Sequence, residues 1–168
     1  MALTPSAETL RRRVANRFFL SLWMLAKLPS ALFCGVRVDE FTEAACVTSV
    51  PYGWRSQNPF RSTYFAAQAM AAELSTGALV LLAAADAGVP FSTLILDVSA
   101  TFGKKAVDRV SFTCTDGAAI FAAIREAKAT GEARTVRVET VGRMANGAET
   151  SRFTLTWSVK PKASGSKP

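Results

Sequence analysis

One acidic side chain lies in an otherwise apolar stretch of this sequence. Residues 65–77 read FAAQAMAAELSTG, and Glu73 is the only charged residue among them. A helix that is apolar on every side is normally buried on every side. Because an unpaired charge is costly to bury, a carboxylate in such a helix is either paired with hydrogen-bond donors or used in chemistry. Glu73 is therefore the first candidate for a general base or a nucleophile.

The composition excludes several other kinds of active site. The 168 residues contain no histidine, which excludes Ser-His-Asp and Cys-His catalysis and any metal site that uses histidine. Cys34, Cys46 and Cys114 are far apart and lack C-x-x-C spacing, so neither a zinc site nor a disulfide framework is expected. We predict three reduced thiols in a cytoplasmic protein, with no metal and no cofactor.

The charge balance favours a negatively charged partner. Lys and Arg total 20 against 13 Asp and Glu, which gives a net charge of +7. Nucleic acid, a membrane surface and a phosphorylated small molecule all fit this balance. The arginine cluster at 11–13 suits the first two, but no recognised nucleic-acid motif accompanies it. We rank those two partners last and expect no nucleic acid.

Residues 1–29 are predicted to form a basic amphipathic helix laid across the domain. Basic residues before an apolar run are also typical of a signal peptide or a membrane anchor. Arg17 and Lys27, however, leave an apolar segment too short to span a membrane. Phe33 stands before Cys34, where a lipoprotein cleavage site needs a small residue. We therefore expect neither export nor stable membrane insertion.

The rest of the chain is rich in predicted strands. A long strand over 36–50 is expected to contain a bulge or bend at Asp39 and Glu40. Four further segments have strand composition, at 92–102, 106–115, 135–144 and 150–159. In the last segment one face is predicted to be buried, and it carries Phe153, Leu155, Trp157 and Val159.

Glycines mark the expected ends of several elements. The pair Asn146-Gly147 predicts a hairpin with a type I′ turn between the last two strands. Gly131 is expected to end a helix over 117–128. Gly77 is expected to supply a left-handed stop for the buried helix. A second apolar segment, 78–85, is expected to continue after that break and to be closed by Asp86-Ala87-Gly88.

The order of these elements indicates one α+β domain. It comprises a helix, a strand, the buried helix, and then four strands with one helix inserted. One antiparallel sheet wrapped around the hydrophobic helix is the economical arrangement, since it buries that helix on all sides. We expect a single domain over 1–168, with the N-terminal helix at 1–29, the core at 30–159 and a disordered tail at 160–168.

This arrangement resembles the hotdog fold, and a spacing motif supports the resemblance. Many hotdog thioesterases of the phenylacetate-pathway type carry Asn, then His-Gly-Gly six residues later, then Asp or Glu nine residues after the His. Here Asn58 is followed at the same offsets by Tyr64-Phe65-Ala66 and by Glu73. The segment 95–102, ILDVSATF, also resembles the strand that follows the helix in this family.

A longer resemblance covers residues 28–159. This region is similar to a bacterial branch of the superfamily, of unknown function, in which three features recur. They are a Lys-Leu-Pro start, a Pro-Tyr-x-Trp-Arg-x-x-Asn-Pro-Phe loop and an Ala-Ala-Glu-Leu-Ser-Thr-Gly helix. Three positions depart from the enzymes, because Tyr64 replaces the His, and Phe65 and Ala66 replace the two Gly residues at the helix start.

The resemblance implies a thioesterase site and a role for each residue of the motif. The backbone N–H groups of Phe65 and Ala66, at the positive end of the helix, would polarise a thioester carbonyl. Glu73 would act on water as a general base or attack directly. Asn58 would orient the water or brace the loop, and Tyr64 would donate a hydrogen bond where the family has His.

The spacing of the motif requires a second copy of the chain. Tyr64 and Glu73 are nine residues apart, so they lie roughly 13 Å apart along a helix. One helix cannot place both its first turn and Glu73 on the same carbonyl. We therefore predict a homodimer with the site at its two-fold interface, and a dimer of dimers stays open.

The predicted function is hydrolysis of an acyl-CoA or a related acyl thioester. Four basic residues are candidates to bind the phosphates of coenzyme A, namely Arg61, Arg55, Lys104 and Lys105. Phe65, however, narrows access to the N–H groups at the helix start. A non-catalytic hotdog module that binds acyl or CoA ligands is therefore the alternative.

Overall fold

The computed structural model describes residues 3–162. Its N-terminal part forms three helices, α1 (Pro5–Ala15), α2 (Arg17–Lys27) and α3 (Pro29–Cys34), so the prediction of one continuous helix is wrong. The chain breaks at Asn16, whose extended backbone ends α1 and whose side-chain oxygen accepts hydrogen bonds from the first N–H groups of α2. An oxygen in this position stabilises the start of a new helix rather than the continuation of the old one.

The segment predicted as one long strand is a hairpin of two strands, β1 (Arg37–Phe41) and β2 (Cys46–Val50). The chain reverses between them because Thr42 N donates to Ala45 O, while the threonine hydroxyl accepts from Ala45 N. The predicted bulge at Asp39 is confirmed by a shift in register inside β1.

The central helix α4 (Phe65–Ala87) is 23 residues long and continues through Gly77. It ends at Gly88, which has a left-handed φ of 69° and was expected to close the second apolar segment. The expected stop at Gly77 is therefore wrong, and the reason lies in packing. A Cβ atom at Gly77 would lie 3.0 Å from the Oε1 atom of Glu73 and 3.4 Å from the ring of Trp157. Glycine allows a close approach here rather than a turn.

The rest of the chain supplies four strands and one helix, as predicted. These are β3 (Phe91–Phe102), β4 (Val110–Cys114), α5 (Gly117–Thr130), β5 (Arg134–Met144) and β6 (Glu149–Pro161). β4 begins later than expected, and Gly131 ends α5 with a φ of 74°, as predicted. Lys160, expected in the tail, belongs to β6. The remainder of the predicted tail, residues 163–168, lies outside the described residues, as do residues 1–2.

The β5–β6 hairpin is confirmed, but the prediction of a type I′ turn is wrong. That turn needs positive φ at both central residues, and only Gly147 of the pair has it, with a φ of 81°. Gly147 N donates instead to Met144 O at 2.9 Å. This bond closes a type I turn that is followed by one left-handed glycine, the usual form of a three-residue hairpin loop.

The six strands form one antiparallel sheet in the order β1-β2-β4-β5-β6-β3. α4 packs against β2, β4, β5 and β6, which confirms the predicted sheet around a long buried helix. The predicted inner face of β6 is buried, with Phe153, Leu155, Trp157 and Val159. Within residues 3–162, α4 is the one helix long and apolar enough to cross a membrane, but 67% of its apolar window is buried in the domain.

Candidate functional site

A hydrogen-bonded loop holds the start of α4. Asn58 Oδ1 accepts from Phe60 N at 3.0 Å and from Ser62 N at 3.3 Å, while Asn58 N donates to Ser62 O at 2.9 Å. Tyr64 N donates to Ser56 O at 2.7 Å. Asn58 therefore braces the loop through a side-chain oxygen that is already engaged, and its orientation of a water molecule stays a prediction.

Two backbone donors are free at the start of α4. Tyr64 precedes the helix, and its carbonyl accepts from Ala67 N at 3.0 Å and Gln68 N at 3.2 Å. The N–H groups of Phe65 and Ala66 come before these and donate to no atom of residues 3–162. They lie at the positive end of the helix dipole, so together they can stabilise a developing negative charge.

A cavity of about 500 Å³ opens beside these donors and brings together five of the predicted site residues. Its lining includes Asn58, Phe60, Tyr64, Phe65, Gln68, Phe102, Lys104 and Lys105. The rings of Tyr64 and Phe65 pack edge to face with centroids 5.0 Å apart, and Phe65 stays 56% exposed. Lys105 Nζ donates to Phe60 O at 3.3 Å, which fixes one ammonium group at the rim.

The two predicted arginines do not line this cavity. Arg61 is exposed in the braced loop and has a left-handed φ of 58°. Arg55 lies against α3, where its carbonyl accepts from Cys34 Sγ at 3.4 Å. Its Nη2 atom is 3.6 Å from the position of a Cβ atom at Gly35. The structure therefore gathers the two lysines at the helix start, while Arg55 is directed elsewhere.

Glu73 differs from the polar side chains that are buried beside it on α4. Three of those are hydrogen-bonded to the sheet, in the pairs Gln68–Ser151, Ser75–Thr140 and Thr76–Trp157. The Glu73 carboxylate has no hydrogen-bond or ion-pair partner among residues 3–162, and burial raises its pKa above the ordinary glutamate value. Such a carboxylate is typical of a general base or a nucleophile.

Glu73 lines a second cavity, of about 220 Å³, whose other walls include Trp23, Gly77, Thr93 and Trp157. Every fully buried side-chain nitrogen or oxygen in the described residues has a hydrogen-bond partner. Because the Glu73 carboxylate has no such partner, its oxygens are not fully buried, and they are open to this cavity. No residue lines both this cavity and the cavity at the helix start. Within one chain the two halves of the predicted site are separate.

Solved structures of similar architecture identify the fold. A Pseudomonas aeruginosa protein described as a probable thioesterase matches with a TM-score of 0.74 and 18% identity, over 95% of this chain and 99% of that chain. A Haemophilus influenzae thioesterase matches with a TM-score of 0.64 and 14% identity, over 87% of this chain and 92% of that chain. The chain has the hotdog fold.

The same fold is found in the Escherichia coli PaaI protein of the phenylacetic acid degradation operon. That hotdog protein matches with a TM-score of 0.60 and 9% identity, over 92% of this chain and 96% of that chain. Sequence comparisons with family profiles and with curated proteins find no match. The predicted resemblance is therefore confirmed as architecture, and the activity must be argued from the site, because one fold serves many functions.

Several residues around the two cavities were missed by sequence analysis. Gln68 is polar in an apolar helix, which was a usable signal. Trp157 was expected to be buried, but nothing in β6 connected it with Glu73. Trp23 and Thr93 come from α2 and β3, and their position beside Glu73 depends on how the hotdog domain packs. No spacing in the sequence reports that packing.

A cavity of about 510 Å³ on another face contains none of the predicted site residues, and its lining includes Glu43, Asp86, Phe121 and Arg125. No three Cys, Asp or Glu side chains among residues 3–162 cluster as ligands for a metal ion would. The cavity at the start of α4 and the cavity of Glu73 are thus the candidate site.

Proposed function

We propose that this hotdog protein is an acyl thioesterase and that its substrate is an acyl-CoA. The observation that carries the proposal is the Glu73 carboxylate, which has no partner among residues 3–162, has a raised pKa and opens to a cavity. The free N–H groups of Phe65 and Ala66 add a place for an oxyanion. Proteins of the same fold that are described as thioesterases support the same reaction class.

The reaction needs an oxyanion site and a base. The N–H groups of Phe65 and Ala66 would bind the thioester carbonyl oxygen and stabilise its charge in the tetrahedral intermediate. Glu73 would take a proton from water while the water oxygen bonds to the carbonyl carbon. When the C–S bond breaks, this proton passes to the leaving thiolate, which yields a carboxylic acid and a free thiol. Direct attack by Glu73, with hydrolysis of the resulting anhydride, is the second route.

The two edges of the sheet differ in a way that favours a dimer. β1 is five residues long, has a bulge and carries the exposed acids Asp39 and Glu40. β3 is twelve residues long and pairs only with β6, and it leaves Leu94, Leu96 and Val98 between 51% and 62% exposed. A long, unprotected apolar edge is a template for another strand. A second copy paired along β3 would cover it.

The same pairing would complete the site. Phe102, at one end of β3, lines the cavity at the start of α4, while Thr93, near the other end, lines the Glu73 cavity. Two antiparallel β3 strands related by a two-fold axis near Val98 would bring the Thr93 end of one strand beside the Phe102 end of the other. Glu73 of one protomer would then face the α4 start of the other, at two equivalent sites.

The polar groups around the helix start suit the rest of an acyl-CoA. Lys104 and Lys105 line the cavity there, and Arg61 lies in the loop just before the helix. Such cations bind phosphate through charge-assisted hydrogen bonds. The Tyr64 hydroxyl has no hydrogen-bond partner within residues 3–162 and could donate to the thioester carbonyl. Arg55 lies against α3, so we assign the phosphates to the other three cations.

The aromatic pair at the helix start favours a second candidate, a non-catalytic module that binds acyl or CoA ligands. Tyr64 and Phe65 pack edge to face where the related enzymes have His-Gly. The Phe65 ring narrows the approach of a carbonyl to the free N–H groups. A module of this kind would bind acyl-CoA without hydrolysing it.

Hydrolysis of a panel of acyl-CoAs tests the proposal. We expect the wild-type protein to release free thiol from at least one of acetyl-, phenylacetyl-, octanoyl- and hexadecanoyl-CoA. Glu73→Ala should lower kcat/KM by about 10²–10⁴-fold, the usual contribution of a general base. Light scattering after gel filtration should show the same dimer for both proteins.

Glu40→Ala is the matched control, because Glu40 is exposed on β1 and forms no ion pair within residues 3–162. It should hydrolyse the panel as the wild type does. Unchanged turnover in a dimeric Glu73→Ala protein would contradict the proposal. Binding of acyl-CoA without turnover of any substrate would identify the binding module, and Phe65 would then be the residue to explain.

A further inference from the structure

A third cavity lies between the N-terminal helices and α4. It has a volume of about 310 Å³ and is apolar apart from Arg13 and the indole N–H of Trp23; its walls are Leu10, Arg13, Val14, Leu20, Trp23, Leu74, Ala78 and Leu81. Neither Glu73 nor the start of α4 belongs to this lining. The chemistry of thioester hydrolysis therefore does not account for it.

This third cavity adjoins the cavity of Glu73, because four residues line both, namely Trp23, Leu74, Ala78 and Leu81. Leu74 and Ala78 are buried and lie one turn apart on α4, so they form a continuous apolar floor. Trp23 and Leu81 are 41% and 44% exposed. The side chains of Trp23 and Leu81, which lie between the two cavities, are therefore not held in one position by core packing.

We propose that the third cavity is an acyl pocket, which receives the unbranched aliphatic chain of the substrate while its carbonyl lies at Glu73. The inference rests on the proposed thioesterase function and adds its substrate class. The chain would pass Trp23 and lie on Leu74 and Ala78. Because few polar groups face the pocket, a hydroxylated or charged acyl group would lose its hydration there without replacement.

Apolar burial would make the pocket select for chain length. Each methylene group that leaves water improves binding by roughly fourfold. An acetyl or phenylacetyl group would end in the 220 Å³ cavity of Glu73 and leave the acyl pocket empty. A dodecanoyl chain would extend into it, so kcat/KM for dodecanoyl-CoA should exceed that for acetyl-CoA by more than about tenfold.

Filling the pocket tests the inference. Leu10→Trp introduces a larger side chain from α1, and Leu10 lines neither of the other two cavities along α4. Leu22→Trp is the matched control, because Leu22 is exposed on α2 and lines none of the three. Leu10→Trp should lower the dodecanoyl-to-acetyl ratio of kcat/KM at least about tenfold, whereas Leu22→Trp should keep the wild-type ratio.

A binding measurement separates this inference from the thioesterase function. Titration calorimetry should show that dodecanoate binds the wild-type and Leu22→Trp proteins and binds Leu10→Trp at least about tenfold more weakly. This pattern without hydrolysis of any thioester would uphold the pocket and overturn the thioesterase. Hydrolysis with one unchanged chain-length ratio in all three proteins would overturn the pocket and leave the thioesterase standing.

A second variant keeps the test valid if thermal melts show that Leu10→Trp does not fold. Leu10→Ala enlarges the pocket, so the preferred substrate should shift from dodecanoyl-CoA toward hexadecanoyl-CoA. An unchanged preference in a folded Leu10→Ala protein would overturn the inference.

Discussion

The two cavities that make up the candidate site have opposite chemical characters. The cavity at the start of α4 combines free backbone N–H groups, an aromatic pair and the cations Lys104 and Lys105. The cavity of Glu73 is lined mainly by indole rings and aliphatic side chains, and its polar side chains are Thr93 and the one carboxylate. The first suits an oxyanion and phosphates, whereas the second suits proton transfer in a partly desolvated setting.

This difference shows that each half of the site lacks what the other provides. The helix start has no base within its cavity, and the Glu73 cavity has no free N–H pair. Both halves lie beside β3, one at each end, and β3 is the longer and more apolar of the two edge strands of the sheet. The proposed division of the chemistry between two protomers rests on that placement, and it can be tested at each half separately.

The largest expected effect is the loss of turnover when one backbone donor is removed from the oxyanion half of the site. Phe65→Pro deletes the N–H of the first residue of α4, a position where proline suits the helix, and Tyr64 already has a ψ of 136°, which a following proline favours. Turnover should fall about 10²–10³-fold. Phe65→Ala retains the donor and opens the approach, so its turnover should equal or exceed that of the wild type. Equal rates for the two variants would show that this N–H group plays no part.

Mixed dimers should reveal whether the halves come from different protomers. Phe65→Pro and Glu73→Gln proteins, each nearly inactive, would be mixed in equal amounts and allowed to exchange subunits. A site shared between protomers leaves one intact site in each mixed dimer, so about a quarter of the wild-type activity should return. If both halves came from one chain, the mixture would remain as inactive as its parents. The Glu73→Gln protein, taken alone through the same exchange procedure, provides the baseline activity.

The smallest expected effect concerns the Glu73 half of the site and is a change in how the stability of the protein depends on pH. Burial raises the pKa of Glu73 in the folded state, so its charged form opposes folding. This penalty is absent below the pKa of the unfolded state and grows as pH rises through the folded value. The melting temperature of Glu73→Gln relative to wild type should therefore increase by a few degrees between about pH 4 and about pH 8. Glu40→Gln controls for loss of a carboxylate, and a constant difference between Glu73→Gln and wild type would contradict the shift.

Local signals in the sequence predicted much of the fold and half of the site. The alternation of β6 identified its buried face, and the offsets from Asn58 grouped Tyr64 and Phe65 at one helix start. Those signals act between residues close in the chain. Gly77 was misjudged because a glycine that ends a helix and one that allows close packing are identical in sequence. The break at Asn16 was missed because a single cap outweighed a continuous apolar pattern.

By itself the sequence determined that residues 65–77 belong to a buried helix in which Glu73 is the one carboxylate, and that no histidine takes part in the candidate site. Composition and short-range spacing are sufficient for those conclusions. Only the tertiary structure decided that Glu73 has no partner among residues 3–162, that Trp23 and Thr93 stand beside it, and that β3 is an edge strand of the sheet. Each of these depends on contacts between segments far apart in the chain, which packing establishes and no local pattern encodes.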